Sequence, residues 1–203
     1  ACRDARVRFM TFSSDYVFGG GLQRSPIGED ETPAPLQVYG ISRLAGEHAA
    51  LATAPGHAIV VRTCGLYGTS GARSKGGNFV DGRVADGRAG KTIEMACEQV
   101  VAPTSTHDLS LAVLALAEHP SAAPGIYHLV NEGPCSWYDL TAAIIEILEL
   151  PAKVIPVDRG GVTGNMRRPL YSVLDNRRAR ALGITMRPWR AALEDYLRRK
   201  HPR

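Results

Sequence analysis

The chain has few aromatic residues, few cysteines and no long apolar run, and each shortage closes off a class of protein. Phe, Trp and Tyr make up 6% of its 203 residues, which leaves no aromatic-rich groove for stacking nucleic-acid bases. The four cysteines, Cys2, Cys64, Cys97 and Cys135, are far apart and form no CxxC pair. That spacing predicts free thiols, with neither a disulfide framework nor a metal centre. No apolar stretch reaches the roughly 18 residues of a membrane span, and the opening Ala1-Cys2-Arg3-Asp4-Ala5-Arg6 lacks the apolar core of a secretory signal. These absences predict a cytoplasmic protein with no membrane partner. No internal repeat or low-complexity tract interrupts the chain.

What is present is an ordinary globular balance. Hydrophobic residues account for 44% and charged residues for 22%, enough to bury a core in one or two units. Lys and Arg number 24 against 20 Asp and Glu, a net charge of +4. Much of the excess lies between Arg177 and Arg203, where arginines alternate with Ala, Leu and Trp189 at helical spacing. A solvated helix face is expected there, and no nucleic-acid partner.

The pattern of elements is α/β. Val7 to Thr11 reads as a strand, and the Gly- and Pro-rich stretch from Gly19 to Pro35 as a long functional loop. Tyr39 to Ala54 has a helical period, with Leu44, Ala45, His48 and Leu51 on one stripe, and stops at Pro55-Gly56. A strand from Ala58 to Arg62 follows, so a parallel crossover unit is expected, with its ligand crevice at the carboxyl ends of the strands. Further on, Gly71 to Gly77 reads as a basic loop, Asn78 to Ala85 as a helix and Lys91 to Met95 as a strand. Thr106, as N-cap, opens a helix to His119, and Ile126 to Val130 is a strand. Ser136 to Asp139 has the form of a capping box. Lys153 to Val157 is a strand, Asp158 to Asn165 a loop, and Pro188 lies in the first turn of a last helix.

Two segments carry chemistry. Ser13-Ser14-Asp15-Tyr16-Val17-Phe18 ends the first strand, and Tyr39-Gly40-Ile41-Ser42-Arg43 opens the helix. Tyr39 and Arg43 are four apart, which puts both on one helical face. A fixed cation beside a phenol of ordinary pKa near 10 is a physical route to an acid or base usable at neutral pH. Ser14 brings a hydroxyl that can hold a substrate oxygen in place.

With these segments, Glu29-Asp30-Glu31-Thr32-Pro33, Arg62 to Gly68, Gly77-Asn78-Phe79-Val80, Gln99 to Thr104, Gly125 to Leu129, Arg168-Pro169 and Pro188-Trp189 stand in an order that resembles the dTDP-4-dehydrorhamnose reductase family of extended short-chain dehydrogenases. The resemblance implies the C-terminal part of a Rossmann-like α/β fold. Residues 1–70 would be what is present of the dinucleotide-binding domain, and residues 71–203 mainly a small mixed substrate lobe. It implies reduction of the C4 ketone of a dTDP-4-keto-6-deoxy sugar with NADPH or NADH as cofactor. Tyr39 would be the proton donor and Ser14 its hydroxyl partner, with Asp15 and Gly65 beside the sugar. Phe12, Tyr39 and Arg43 would contact the cofactor, and Asn78 and Arg168 the phosphates of the nucleotide sugar. The substrate is a small molecule, and a homo-oligomer stays open.

Two departures from the family carry expectations. Arg43 stands where the family has lysine, and guanidinium differs from ammonium in shape and reach, so lowered activity is expected. The Gly-rich turn that holds a dinucleotide pyrophosphate does not appear before Val7, so this chain is expected to be a fragment without a complete cofactor cradle. Two other functions compete. Nucleotide-sugar dehydratases need an acid and a base after the Ser/Thr, and Asp15-Tyr16 does not supply the pair. A non-catalytic role like that of the methionine adenosyltransferase beta subunit fits both departures.

Overall fold

A computed structural model describes residues 1–21, 24–70, 77–163 and 166–202. The expected basic loop at 71–76 and the end of the expected loop at 164–165 lie outside the described residues. In chain order the elements are β1 (Phe9–Ser14), a 3-10 turn (Asp15–Val17), α1 (Val38–Thr53), β2 (Ala58–Thr63), β3 (Leu66–Tyr67), α2 (Phe79–Arg88), β4 (Thr92–Ala96), β5 (Val100–Val101), β6 (Thr104–Ser105) and α3 (Thr106–Glu118). After them come β7 (Gly125–His128), β8 (Cys135–Ser136), α4 (Trp137–Leu148), β9 (Lys153–Val157), β10 (Val162–Thr163), β11 (Met166–Arg167), α5 (Arg177–Ala181) and α6 (Trp189–Lys200).

β2 is the centre of the principal sheet, ordered β1-β2-β7 and parallel throughout. All six of its residues are buried, as expected of a strand covered on both faces. Alternation divides them cleanly. Ile59 and Val61 pack with Leu109, Ala112 and Leu116 of α3, while Ala58 and Val60 pack with Ala50 and Ala54 at the α1 side. The result is a helix-sheet-helix sandwich whose strands all run out at one end, where Ser14 and Thr63 stand side by side in register.

A second cluster joins Tyr67, Val80, Val84, Leu140, Ile144, Leu193 and Leu197, so α2, α4 and α6 share a core of their own. β4 and β9 form a separate parallel pair. The Ser136 capping box is present, with the Ser136 hydroxyl accepting from the Asp139 amide and the Asp139 carboxylate accepting from the Ser136 amide. At the far end of α6, Asp81 accepts from Lys200 at 2.7 Å and from Tyr196 at 2.6 Å, and lies 2.9 Å from His201. Those contacts hold its carboxyl below the usual range despite partial burial.

Several expectations shift. The first strand begins at Phe9 and runs to Ser14. Ser105, not Thr106, is the N-cap of α3, and it makes no side-chain cap bond. Pro188 is the N-cap of α6 rather than a residue of its first turn. On α1, Ala45 and His48 are exposed, and the buried stripe runs through Gly40, Glu47 and Ala50, with Leu44 and Leu51 half-buried. A glutamate occupies that stripe because a buried arginine waits for it.

Candidate active site

The carboxyl ends of β1 and β2, the first turn of α1, the loop after β3 and the first turns of α2 enclose a cavity of about 1080 Å³. It is lined by Phe12, Ser14, Tyr39, Arg43, Gly65 and Asn78 among others. Six of the eight site residues named from sequence therefore meet there. Asp15 and Arg168 do not line it.

Backbone close approach explains the Tyr39-Gly40 pair. A Cβ on Gly40 would lie 2.1 Å from the Tyr16 carbonyl oxygen, so only glycine lets α1 come against the turn that follows Ser14. Tyr39, 47% exposed, then stands edge-to-face on Tyr16 with ring centroids 5.9 Å apart. The Arg43 guanidinium lies over the Tyr39 ring, 5.1 Å from its centroid. Cation and phenol are in contact, through the ring face rather than the hydroxyl. Among the described residues Arg43 has no hydrogen bond and no ion pair, so its charge faces the cavity without a protein counter-ion.

Beneath this surface lies a polar network that sequence reasoning did not pick out. Glu47, one turn beyond Arg43, accepts from Arg62 Nη2 at 2.6 Å and from Nε at 2.9 Å, and also from the Ser13 hydroxyl. Both partners are almost wholly buried, at 3% and 1% exposure. Arg62 also lies 5.0 Å over the Phe18 ring and reaches His128 Nε2 at 3.4 Å. His128 Nδ1 is 3.1 Å from the Ile27 carbonyl oxygen. A carbonyl only accepts, so the proton is on Nδ1 and Nε2 is free to accept from Arg62. Burial first, and then the Arg62 charge, hold the His128 pKa down to about 3. The network ties α1, β1, β2 and β7 together and fixes the helix that presents Tyr39. The signal was in the sequence: an arginine in the apolar run Ala58 to Thr63, and a glutamate in helical phase with Tyr39 and Arg43.

Asp15, expected beside the sugar, is not among the residues that line the cavity. It is 2% exposed, under the cavity floor. It accepts from Ser172 at 2.6 Å, from Ser14 at 2.9 Å and from the Cys64 thiol at 3.1 Å. Burial outweighs these donors and raises its pKa, and the same burial raises Cys64 well above an ordinary thiol. Ser14 is thereby oriented. Its proton goes to Asp15 and one lone pair accepts from the Tyr16 amide, leaving one lone pair for a group in the cavity.

The other named residues divide. Phe12 is 49% exposed and presents its ring to the cavity. Gly65 has φ +52°, and a Cβ there would lie 3.2 Å from Pro103 Cα and 3.4 Å from Trp137 Cη2. A side chain at Gly65 would be strained by that φ and crowded by Pro103 and Trp137. Asn78 lines the cavity, but its side chain is committed as the N-cap of α2, accepting from the Asp81 amide and donating to the Gly68 carbonyl, Asp81 and Tyr196. Arg168 donates to the Tyr16 hydroxyl at 3.2 Å, outside the cavity wall, and thus supports the aromatic pair rather than a ligand. No group of three metal-ligating side chains occurs among the described residues.

Comparison with known proteins gives a consistent result. The family model of the RmlD substrate binding domain matches residues 1–201. The dTDP-4-dehydrorhamnose reductase of Streptomyces griseus is 38% identical over 200 residues, covering 96% of this chain and 64% of that protein. The spore coat polysaccharide biosynthesis protein SpsK of Bacillus subtilis is 36% identical over 195 residues, covering 96% and 65%. The chain thus spans a little under two thirds of the length of these relatives. Among solved structures, the dTDP-4-dehydrorhamnose reductase of Bacillus anthracis in complex with NADP superposes with a TM-score of 0.85 at 28% identity, covering 97% of this chain and 67% of that one. The fold is accordingly of the Rossmann-like, extended short-chain dehydrogenase type, and the chain belongs to the RmlD substrate binding domain family.

Proposed function

We propose that this chain carries the catalytic face and substrate lobe of a cytoplasmic NADPH- or NADH-dependent reductase of a nucleotide-linked 4-keto-6-deoxy sugar, converting dTDP-4-dehydrorhamnose to dTDP-L-rhamnose. In this reading residues 1–70 belong to the dinucleotide-binding unit and residues 71–203 mainly to the substrate lobe. The observation that carries it is the cavity where Tyr39 and the unpaired Arg43 stand exposed beside an oriented Ser14.

The residues present fit a nicotinamide dinucleotide at one side of that cavity, since Phe12 offers a half-exposed ring there and Arg43 a cation with no counter-ion. The chemistry such a dinucleotide supplies when bound is hydride delivery to a carbonyl carbon. The chain's own part is acid catalysis and positioning. Tyr39 gives its hydroxyl proton to the ketone oxygen as that oxygen gains charge. Arg43, held over the ring, stabilises the phenolate left behind. Ser14 keeps one lone pair for the cavity, and accepts from the alcohol hydroxyl as it forms. Glu47 and Arg62 keep the helix carrying the acid in place.

The test is oxidation of NADPH in the presence of dTDP-4-dehydrorhamnose, followed by the absorbance of the reduced nicotinamide. Tyr39→Phe is expected to slow turnover by about 10²- to 10⁴-fold, and Arg43→Lys to raise it. Absence of turnover by both the unaltered chain and Arg43→Lys, in mixtures where NADPH is shown to bind, would overturn the enzymatic reading and favour a non-catalytic binding role.

A further inference from the structure

The charge of the cavity wall is one-sided. Among the described residues its lining includes two arginines, Arg43 and Arg83, and no aspartate or glutamate. Arg43 sits with Tyr39 on α1. Arg83 is on α2, one turn after Phe79, and its guanidinium lies over the Phe79 ring at 5.4 Å. Its one salt bridge among the described residues, to Asp86 at 2.8 Å, joins two half-buried side chains three residues apart on the helix. Such a pair is worth little and exchanges readily for a stronger acceptor. The Arg83 Nε is buried and has no acceptor among the described residues. Its sequence neighbour Gly82 also lines the cavity, and a Cβ there would meet none of the described residues within 4 Å.

We propose that Arg83 is the residue that recognises the diphosphate of the nucleotide sugar, in the cavity that Arg43 also lines and where Arg43 serves the cofactor. A guanidinium presents its N–H groups in a fixed fork that matches two phosphate oxygens at once. The ring of Phe79 presets its plane, and the described lining adds no carboxylate, so the charge a bound diphosphate has to displace is that of Asp86, paired to Arg83 from outside the lining. The inference rests on the functional reading above for the nature of the ligand, and on the wall itself for its charge.

Calorimetric titration of this chain with dTDP, thymidine, inorganic pyrophosphate and NADP+ separates the sources of that charge. dTDP is expected to bind and thymidine to bind far more weakly. Arg83→Gln is expected to lose dTDP affinity about tenfold or more, and Arg83→Lys to lose less. Arg88→Ala, at the exposed end of the same helix, is expected to leave affinity unchanged, and thermal melts of each variant report whether the fold is kept. NADP+ affinity is expected to depend on Arg43 and not on Arg83. Equal dTDP binding by the unaltered chain and Arg83→Gln would overturn the assignment while leaving the reductase reading standing. Pyrophosphate binding that needs Arg83, with no dTDP binding, would keep the anion site and sink the nucleotide-sugar reading. No binding of either anion overturns both.

Discussion

Replacing Glu47 by glutamine keeps the shape of the side chain and removes its charge, and the consequence can be worked from its surroundings. Arg62 is 1% exposed and takes its two closest acceptor bonds, at 2.6 and 2.9 Å, from Glu47 alone. His128 is held neutral and the Phe18 ring offers only its face, so neither replaces a carboxylate. Breaking a buried pair in this way costs about 3–5 kcal/mol, because an uncompensated charge stays inside. For a domain of this size about 2–4 °C of melting temperature goes with each kcal/mol, so Glu47→Gln is expected to melt about 6–20 °C lower. Urea unfolding followed by far-ultraviolet circular dichroism gives the free energy directly. Arg62→Met and the double variant Glu47→Gln/Arg62→Met complete the cycle. The double variant is expected to be much more stable than the sum of the two single losses implies, since removing both partners leaves no buried charge. A single loss under about 1 kcal/mol, or strictly additive losses, would refute the view that this pair holds α1 against the sheet.

Two substitutions of glycine in α1 are expected to have opposite signs. Gly40→Ala places a Cβ 2.1 Å from the Tyr16 carbonyl oxygen and is expected to lose about 1–3 kcal/mol or more in urea unfolding, whereas Gly46→Ala, with nothing within 4 Å, is expected to gain about 0.5–1 kcal/mol. Two losses of equal size would refute the close approach. A third expectation concerns acid. The folded pKa of His128 is depressed from 6.5 to about 3, so its contribution to stability is present above pH 6.5 and is lost as pH falls toward 3. Unfolding free energies from urea titrations between pH 6.5 and about 4.5, above the main carboxylate range, should fall by up to about 1.4 kcal/mol per pH unit from this group, and His128→Gln should flatten that slope. Parallel curves for the two proteins would show that His128 takes up its proton without unfolding.

The framework of the fold was legible because its strongest elements are locally consistent. Ala58 to Arg62 reads as strand from its β-branched run, and the Ser136 capping box announces α4. The two-residue strands at 66–67, 100–101, 104–105 and 135–136 were not legible, since pairing with distant partners makes them, and two residues carry no period. The site divides in the same way. Tyr39, Arg43 and Ser14 follow from spacing and motif, but whether Asp15 faces a ligand or the interior depends on Ser172, which is 157 residues away. Arg83 was passed over because only the fold of α2 against the cavity distinguishes it from the many surface arginines. Glu47 and Arg62 each break the apolar pattern of their element, and their pairing across 15 residues makes sense of both.

The bond between Asp15 and Ser172 also sets a schedule for synthesis. The residues that would do the chemistry, Ser14, Tyr39 and Arg43, leave the ribosome before Ser172. The hydroxyl of Ser14 is oriented by Asp15, and one donor that anchors Asp15 is on Ser172. At about 5–20 residues per second, on the order of 6–26 s of translation separates Arg43 from Ser172. During that interval a nascent chain holds its reactive groups without the geometry that gives them a purpose.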